Sequence, residues 1–139
     1  MERPDEDDVD RVSRALGGRP VAWRPAPGHG APSNRRWVVT LPGGATAFVK
    51  IAAYDYTAGW LRNEHANYVA LQSSPHVPRL LGWDDDDVHP VLAIEDLSEA
   101  AWPPPWSPAH IDAVFGALEA IHAEQPPRGM TVEDRKSVV

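Results

Sequence analysis

Two apolar, β-branched runs separated by a Pro-Gly-Gly break constrain this chain most. The first is Arg36-Trp37-Val38-Val39-Thr40-Leu41 and the second is Ala45-Thr46-Ala47-Phe48-Val49-Lys50-Ile51. Pro42-Gly43-Gly44 lies between them, and glycine supplies the positive φ that a tight turn needs, so the stretch predicts a β-hairpin. A helical pattern follows over about residues 58–72. Leu61, Glu64, His65, Tyr68 and Leu71 recur on one side, with Arg62, Asn63 and Asn67 opposite. Each element carries one charge out of pattern: Lys50 near the end of the second strand, and Glu64 on the apolar side of the helix.

The flanking segments fill out an α+β pattern. Residues 1–7 read as a flexible acidic tail. Asp8 to Leu16 predicts a short helix with Val9, Val12 and Leu16 on one side and acidic residues where the helix dipole favours them. Gly17-Gly18 stops it. Pro20 to Arg24 is a short strand, and Pro25 to Ser33 is a Pro/Gly loop. Beyond the central helix, Val77 to Trp83 is strand-like, with Pro78 pointing to an edge or an irregular start. Asp84 to Asp87 reads as a solvated turn. His89 to Ile94 is a continuous apolar strand whose end is buried on both faces. Trp102-Pro103-Pro104-Pro105-Trp106 is a stiff crossing segment. Ser107 as N-cap and Pro108 at the first helical position open a last helix with the stripe Ile111, Val114, Phe115, Leu118, Ile121. Pro126-Pro127 ends it, and residues 126–139 form an irregular tail.

Charge and composition remove several classes of function. At 139 residues, 42 % of them apolar, the chain is one small domain or one lobe of a larger fold. Its net charge is -7, and the first ten residues hold six carboxylates against one arginine. That is the opposite of a nucleic-acid or anionic-membrane footprint, so neither partner is expected. With no cysteine there is no disulfide and no thiolate chemistry. No segment is apolar enough to span a bilayer, the acidic start is unlike a secretory leader, and a cytoplasmic location is the default. Six tryptophans are many for this length, and some of them await a neighbouring surface.

Lys50 and Glu64 are the residues most suggestive of chemistry. Phe48, Lys50 and Ala52 share one strand face, and Glu64 shares the helix stripe of Leu61, Tyr68 and Leu71. Both charges point toward the sheet–helix boundary. Burying either alone is costly, so they are expected to pair. A lysine held in this way can meet a phosphate as a point charge. The plainer alternative is a snorkelling lysine and an ordinary off-pattern glutamate. Gly28-His29-Gly30 lies where a phosphate-covering loop would fall, but it fits neither the P-loop nor the dinucleotide fingerprint. The Asp84–Asp87 carboxylates are adjacent rather than spaced like metal ligands, and the six histidines have no zinc spacing, so no metal ligand is assigned.

Five segments in order carry a family likeness. They are Ala47-Phe48-Val49-Lys50-Ile51; Glu64; Pro78-Arg79-Leu80-Leu81-Gly82; Leu92-Ala93-Ile94-Glu95-Asp96-Leu97; and Leu118-Glu119-Ala120-Ile121-His122-Ala123. Over roughly residues 15–125 the chain resembles the aminoglycoside phosphotransferase and choline kinase-like superfamily, which has the protein-kinase-like fold. The resemblance implies an N-terminal lobe over residues 8–97, with an antiparallel sheet of about five strands and a packed helix. A helix would precede the sheet and another would follow the hinge. It also implies that Lys50 holds the α- and β-phosphates of ATP and that Glu64 is its partner. Gly28 and Gly30 would lie in the loop over the phosphates. Ile94 would back the base pocket, and the hinge from Ile94 through Glu95 to Leu97 would meet adenine. ATP and magnesium are the cofactors so implied. Residues 98–125 would be a linker and the first helix of a C-terminal lobe.

The departure from that family is as informative. After Ala123 the sequence offers no His-Gly-Asp catalytic loop, no asparagine behind it and no second metal-binding aspartate. No catalytic residue is assigned. The expectation is a truncated chain: the nucleotide-binding lobe of an ATP-dependent phosphotransferase for an aminoglycoside-like or amino-alcohol-like hydroxyl, inactive alone. Its partner would be a missing catalytic lobe or a second copy. The alternatives are a non-catalytic interaction module and a degenerate kinase remnant.

Overall fold

Antiparallel pairing starts from the predicted hairpin. In the computed structural model, which describes residues 3–26 and 34–127, β2 (Asn34–Thr40) pairs with β3 (Thr46–Ala52). Gly43 and Gly44 have φ of 99° and 96° in the turn, conformations that a β-branched residue resists. β1 (Ala22–Pro25) adds to β2, β5 (Val91–Ile94) adds to β3, and β4 (Leu80–Asp84) closes the other edge. The result is one five-stranded sheet in the order β1-β2-β3-β5-β4, every pair antiparallel. With α1 (Glu6–Leu16), α2 (Asp55–Ala70) and α3 (Pro108–Ala123), the described residues form an α+β fold.

Strand alternation divides the core in two. Trp37 and Val39 of β2, Ala47, Val49 and Ile51 of β3, and Val91 and Ala93 of β5 share one face, covered by Val12 of α1. Trp23 packs edge-on to Trp37 with ring centroids 5.8 Å apart. Ala52, Leu92 and Ile94 lie on the other face beneath Ala58 and Leu61 of α2, joined by Phe48, Tyr68, Leu80 and Trp83. All four residues of β5 are buried, as a strand with helices on both sides requires.

α1 starts two residues earlier than its apolar period indicates. Asp5 caps it by accepting from the Asp8 amide at 2.7 Å, and Glu6, Asp7 and Asp8 fill the first turn. The acidic segment is thus part of the fold from Asp5 onward. Asp8 is almost fully buried, and its carboxylate accepts from Arg35 Nε (2.6 Å), Arg35 Nη2 (2.9 Å) and Arg11 Nη1 (2.9 Å). A buried carboxylate is tolerable only with such partners.

The aspartate run is exposed at Asp85, Asp86 and Asp87, as a solvated turn requires, and it also makes ion pairs that the sequence did not announce. It is a clasp between both helices. Asp84 meets Arg14 of α1, Asp86 meets Arg11 of α1, and Asp85 receives a two-pronged contact from Arg62 of α2 at 2.7 and 3.0 Å. Asp87 has φ 71°, a left-handed conformation that aspartate tolerates. Periodicity placed Arg62 on the outer side of α2 but could not name its partner.

Two outcomes check this packing. A Cβ built on Gly82 runs into the Ala15 carbonyl of α1, which explains this glycine; the register shift of β4 lies beside it. Gly82→Ala should lower the urea-unfolding free energy by roughly 1–3 kcal/mol, because a backbone carbonyl cannot step aside as a side chain can. Burial pushes the Asp86 carboxyl up, but the amides of His89 and Val88 and the Arg11 guanidinium outweigh it and hold the group at about 2, against an ordinary 3.8. That contribution is complete above the ordinary value and is lost as pH falls from about 4 through about 2. Acid unfolding followed by circular dichroism should show a smaller loss over that window in Asp86→Asn than in the wild type.

Candidate functional site

The face under α2 is covered over only part of its width. α2 packs on β3, β4 and β5, which leaves the β1–β2 side of that face without a helix. Lys50 sits at the margin of the covered part. Its Nζ donates to Glu64 Oε1 at 2.7 Å, with the two side chains 22 % and 31 % exposed. The pair expected from sequence therefore forms, and it reaches solvent. Contact on one of its three protons leaves the ammonium able to meet a second acceptor.

Glu64 is presented by a helix pinned at several points. At its start the buried Thr57 hydroxyl accepts from the Tyr54 amide (3.1 Å) and donates to the Tyr54 carbonyl (2.9 Å). Arg62 ties the middle of α2 to Asp85. His65 lies flat on Trp83, with centroids 4.1 Å apart and planes 5° apart. These contacts set the rotation of α2, which decides whether Glu64 faces Lys50.

β2 brings a second cation to the same face. Arg36 lies directly opposite Lys50, as Val38 lies opposite Phe48. Its Nε is buried and has no hydrogen-bond partner among the described residues. Arg24 of β1 lies opposite Val38, and its Nη2 donates to Ser98 Oγ at 3.2 Å. Ser98 in turn bonds Asp96 through both its amide and its hydroxyl. Burial pushes the Asp96 carboxyl up, but these Ser98 bonds, the Thr46 hydroxyl and the charge of Arg24 outweigh it and hold the group below the ordinary carboxylate value.

The segment after β5 is partly engaged by the chain itself. Ile94 is buried beside Leu92 and Phe48. The Glu95 amide donates to the Arg79 carbonyl at 2.9 Å, and the Glu95 carboxylate accepts from the Arg79 amide at 3.3 Å. The Leu97 carbonyl accepts from Trp102 Nε1 at 2.8 Å. Lys50, Glu64 and Ile94 thus gather on one face, and Glu95 and Leu97 follow directly at the end of β5. Gly28 and Gly30 lie outside the described residues. Sequence reasoning missed Arg36 and Arg24. The alternation that placed Lys50 places Arg36 equally well once the hairpin register is known.

Among the described residues no three His, Cys, Asp or Glu side chains converge to hold a metal. No helix among them is long and apolar enough to cross a membrane. Comparison with protein-family models, with curated proteins and with solved structures finds no match.

Burial against Trp83 lowers the His65 pKa below its ordinary 6.5, and this outweighs the opposing charge of Asp85. The unfolded chain then binds a proton at a higher pH than the native chain does. Stability should fall as pH drops below about 6.5 and level off below the native pKa. Urea midpoints measured from pH 7.5 to 5 should show that slope in the wild type and a reduced slope in His65→Phe, whose ring keeps the stack but cannot titrate.

Proposed function

We propose that this chain carries the nucleotide-binding lobe of an ATP-dependent small-molecule phosphotransferase of the protein-kinase-like type. The observation that carries the reading is the 2.7 Å Lys50–Glu64 ion pair, formed between a central strand and a pinned helix and partly reaching solvent. A lysine oriented by a glutamate and still reaching solvent is suited to phosphate. The five-stranded antiparallel sheet with a helix on that face agrees with the lobe expected from the sequence resemblance.

The residues present fit the phosphates of a nucleotide. Lys50 would bind them, and Glu64 would hold Lys50 in place. Ile94 would back the base. Because the Glu95 amide and the Leu97 carbonyl are already bonded, the base would use the Glu95 carbonyl and the Leu97 amide. Among the described residues no three His, Cys, Asp or Glu side chains gather around a point that could hold magnesium without the nucleotide. The acceptor of the intact enzyme would be a hydroxyl of an aminoglycoside-like or amino-alcohol-like compound. Without a His-Gly-Asp loop in its 139 residues, the chain alone is expected to bind nucleotide without transferring phosphate.

A second reading, a non-catalytic interaction module, draws on α3. Every residue of that helix except His110 is exposed, including Ile111, Val114, Phe115, Leu118 and Ile121, and Trp102 and Trp106 before it are exposed as well. Solvent-facing apolar residues in such number mark a contact surface.

Calorimetric titration of the folded chain with ATP, beside Lys50→Ala, tests the first reading. The wild type should bind and the variant should bind about tenfold or more weakly, the loss expected for a charge-assisted contact. Absence of ATP binding by a cooperatively folded chain would overturn the reading in favour of the interaction module.

A further inference from the structure

Arg35 and Arg36 are adjacent in β2 and point to opposite faces. Arg35 is matched by the buried Asp8 carboxylate, which also takes Arg11. Arg62, on α2, is matched by Asp85. Arg24, on the Arg36 face, has Ser98 and the nearby Asp96. Arg36 is the exception. It is half-buried, its Nε has no partner, and it forms no ion pair among the described residues. Its cross-strand neighbour is another cation, Lys50.

Directly opposed residues of an antiparallel pair have Cβ atoms about 4.5–5.5 Å apart, and like charges there destabilise the ladder. Glu64 supplies one negative charge, already bonded to Lys50. Two cations against one carboxylate leave the spot with an excess positive charge. The segment joining β1 to β2, residues 27–33, contains no carboxylate that could cancel it. Elsewhere the chain is strongly acidic, with 20 Asp and Glu against 13 Lys and Arg. A half-buried cation left unmatched in such a sequence, beside a second cation, is suited to an anion from outside.

We propose that Arg36 and Lys50 together form a two-cation cradle for a condensed phosphate, the di- or triphosphate moiety of a nucleotide or of a linear polyphosphate. The proposal rests on the reading of Lys50 as a phosphate ligand and adds a second ligand from β2. Arg36 presents a planar fork suited to two oxygens of one phosphate, and Lys50 meets a neighbouring phosphate as a point charge. The pair spans adjacent strands, so a chain of linked phosphates lying across them satisfies both. A single monovalent anion on Arg36 would balance the excess charge but would not bridge to Lys50, as linked phosphates can.

Titrations of the full chain with sodium tripolyphosphate and, separately, with ATP test this, using wild type, Arg36→Met, Arg36→Lys and Lys50→Met. Thermal melts without ligand accompany them. Wild type should bind both probes. Arg36→Met and Lys50→Met should each weaken both by about tenfold or more, and Arg36→Lys should retain part of the affinity. Unliganded Arg36→Met should melt at or above the wild-type temperature, because the like-charge contact is gone. If Lys50→Met weakens ATP while Arg36→Met binds both probes like wild type, the cradle is overturned and the nucleotide reading stands. Tripolyphosphate binding that needs both cations, without ATP binding, keeps the cradle and overturns the nucleotide reading. Binding of neither probe overturns both, and an Arg36→Met chain that melts well below wild type makes Arg36 a structural residue and overturns the cradle.

Discussion

A one-residue step along β2 separates the face that α1 covers from the face that carries Lys50 and Arg36, and much of the structure depends on that alternation. Arg35, Trp37 and Val39 turn toward α1, where Val12 covers the apolar residues and Asp8 receives the arginine. Arg36 and Val38 turn the other way, to the face that α2 covers only toward β5. Because side chains alternate strictly along a strand, slipping the hairpin by one residue would exchange these sets. It would bury Lys50 under α1 without Glu64 and turn Val49 and Ile51 toward the α2 face. The apolar content of one face and the ion pairs on both therefore fix the same register.

The second constraint is how the helices are held at a fixed rotation over the sheet. A short helix on a sheet can slide or turn at little apolar cost, since hydrophobic contact is not directional. The clasp from Asp84 to Asp86 supplies the missing direction. Arg11 and Arg14 tie α1 to it from one side of the sheet, and Arg62 ties α2 from the other. Each pair alone, partly exposed, is worth little. Their value lies in geometry: α2 is set by one turn that also anchors α1, and Glu64 reaches Lys50 as a result. The His65–Trp83 stack acts in the same sense, linking α2 to β4 one residue after Glu64.

Much of this was legible in the sequence, and the reasons are local ones. Gly43-Gly44 announces its turn because only glycine takes those φ values easily, and Ser107-Pro108 announces the start of α3 because cap and first-turn chemistry are local. Lys50 and Glu64 stand out because charge on an apolar stripe violates a short-range period. What escaped notice is set by partners distant in sequence. Asp8 looks like an ordinary first-turn acid until Arg35, 27 residues later, is placed against it. The four aspartates look like a solvated turn until two helices bring arginines to them. Arg36 hides because it opens an apolar run, where an arginine reads as the fraying end of a strand. Only the pairing of β2 with β3 puts it opposite Lys50.

The sheet also sorts the charge of an acidic protein. Glu6, Asp7, Asp8 and Asp10 lie on α1, across the sheet from Lys50 and Arg36. A layer of sheet and helix is about 10 Å thick, close to the Debye length of ~8–10 Å at physiological ionic strength. Separation of that order weakens the pull of the acidic helix on the opposite face, while neighbouring groups on that face still act on each other strongly. A net charge of -7 repels an anion from afar, yet Arg36 and Lys50 against the single Glu64 give the opposite face a local excess of positive charge. A polyphosphate approaching it at low salt would be slowed by the whole molecule and then held by two side chains. Added salt relieves the first effect before it weakens the second, because contacts at hydrogen-bond distance are screened less than charges a Debye length away. An acidic chain can therefore carry an anion site without becoming basic overall, provided the acids are kept on the far side of the sheet.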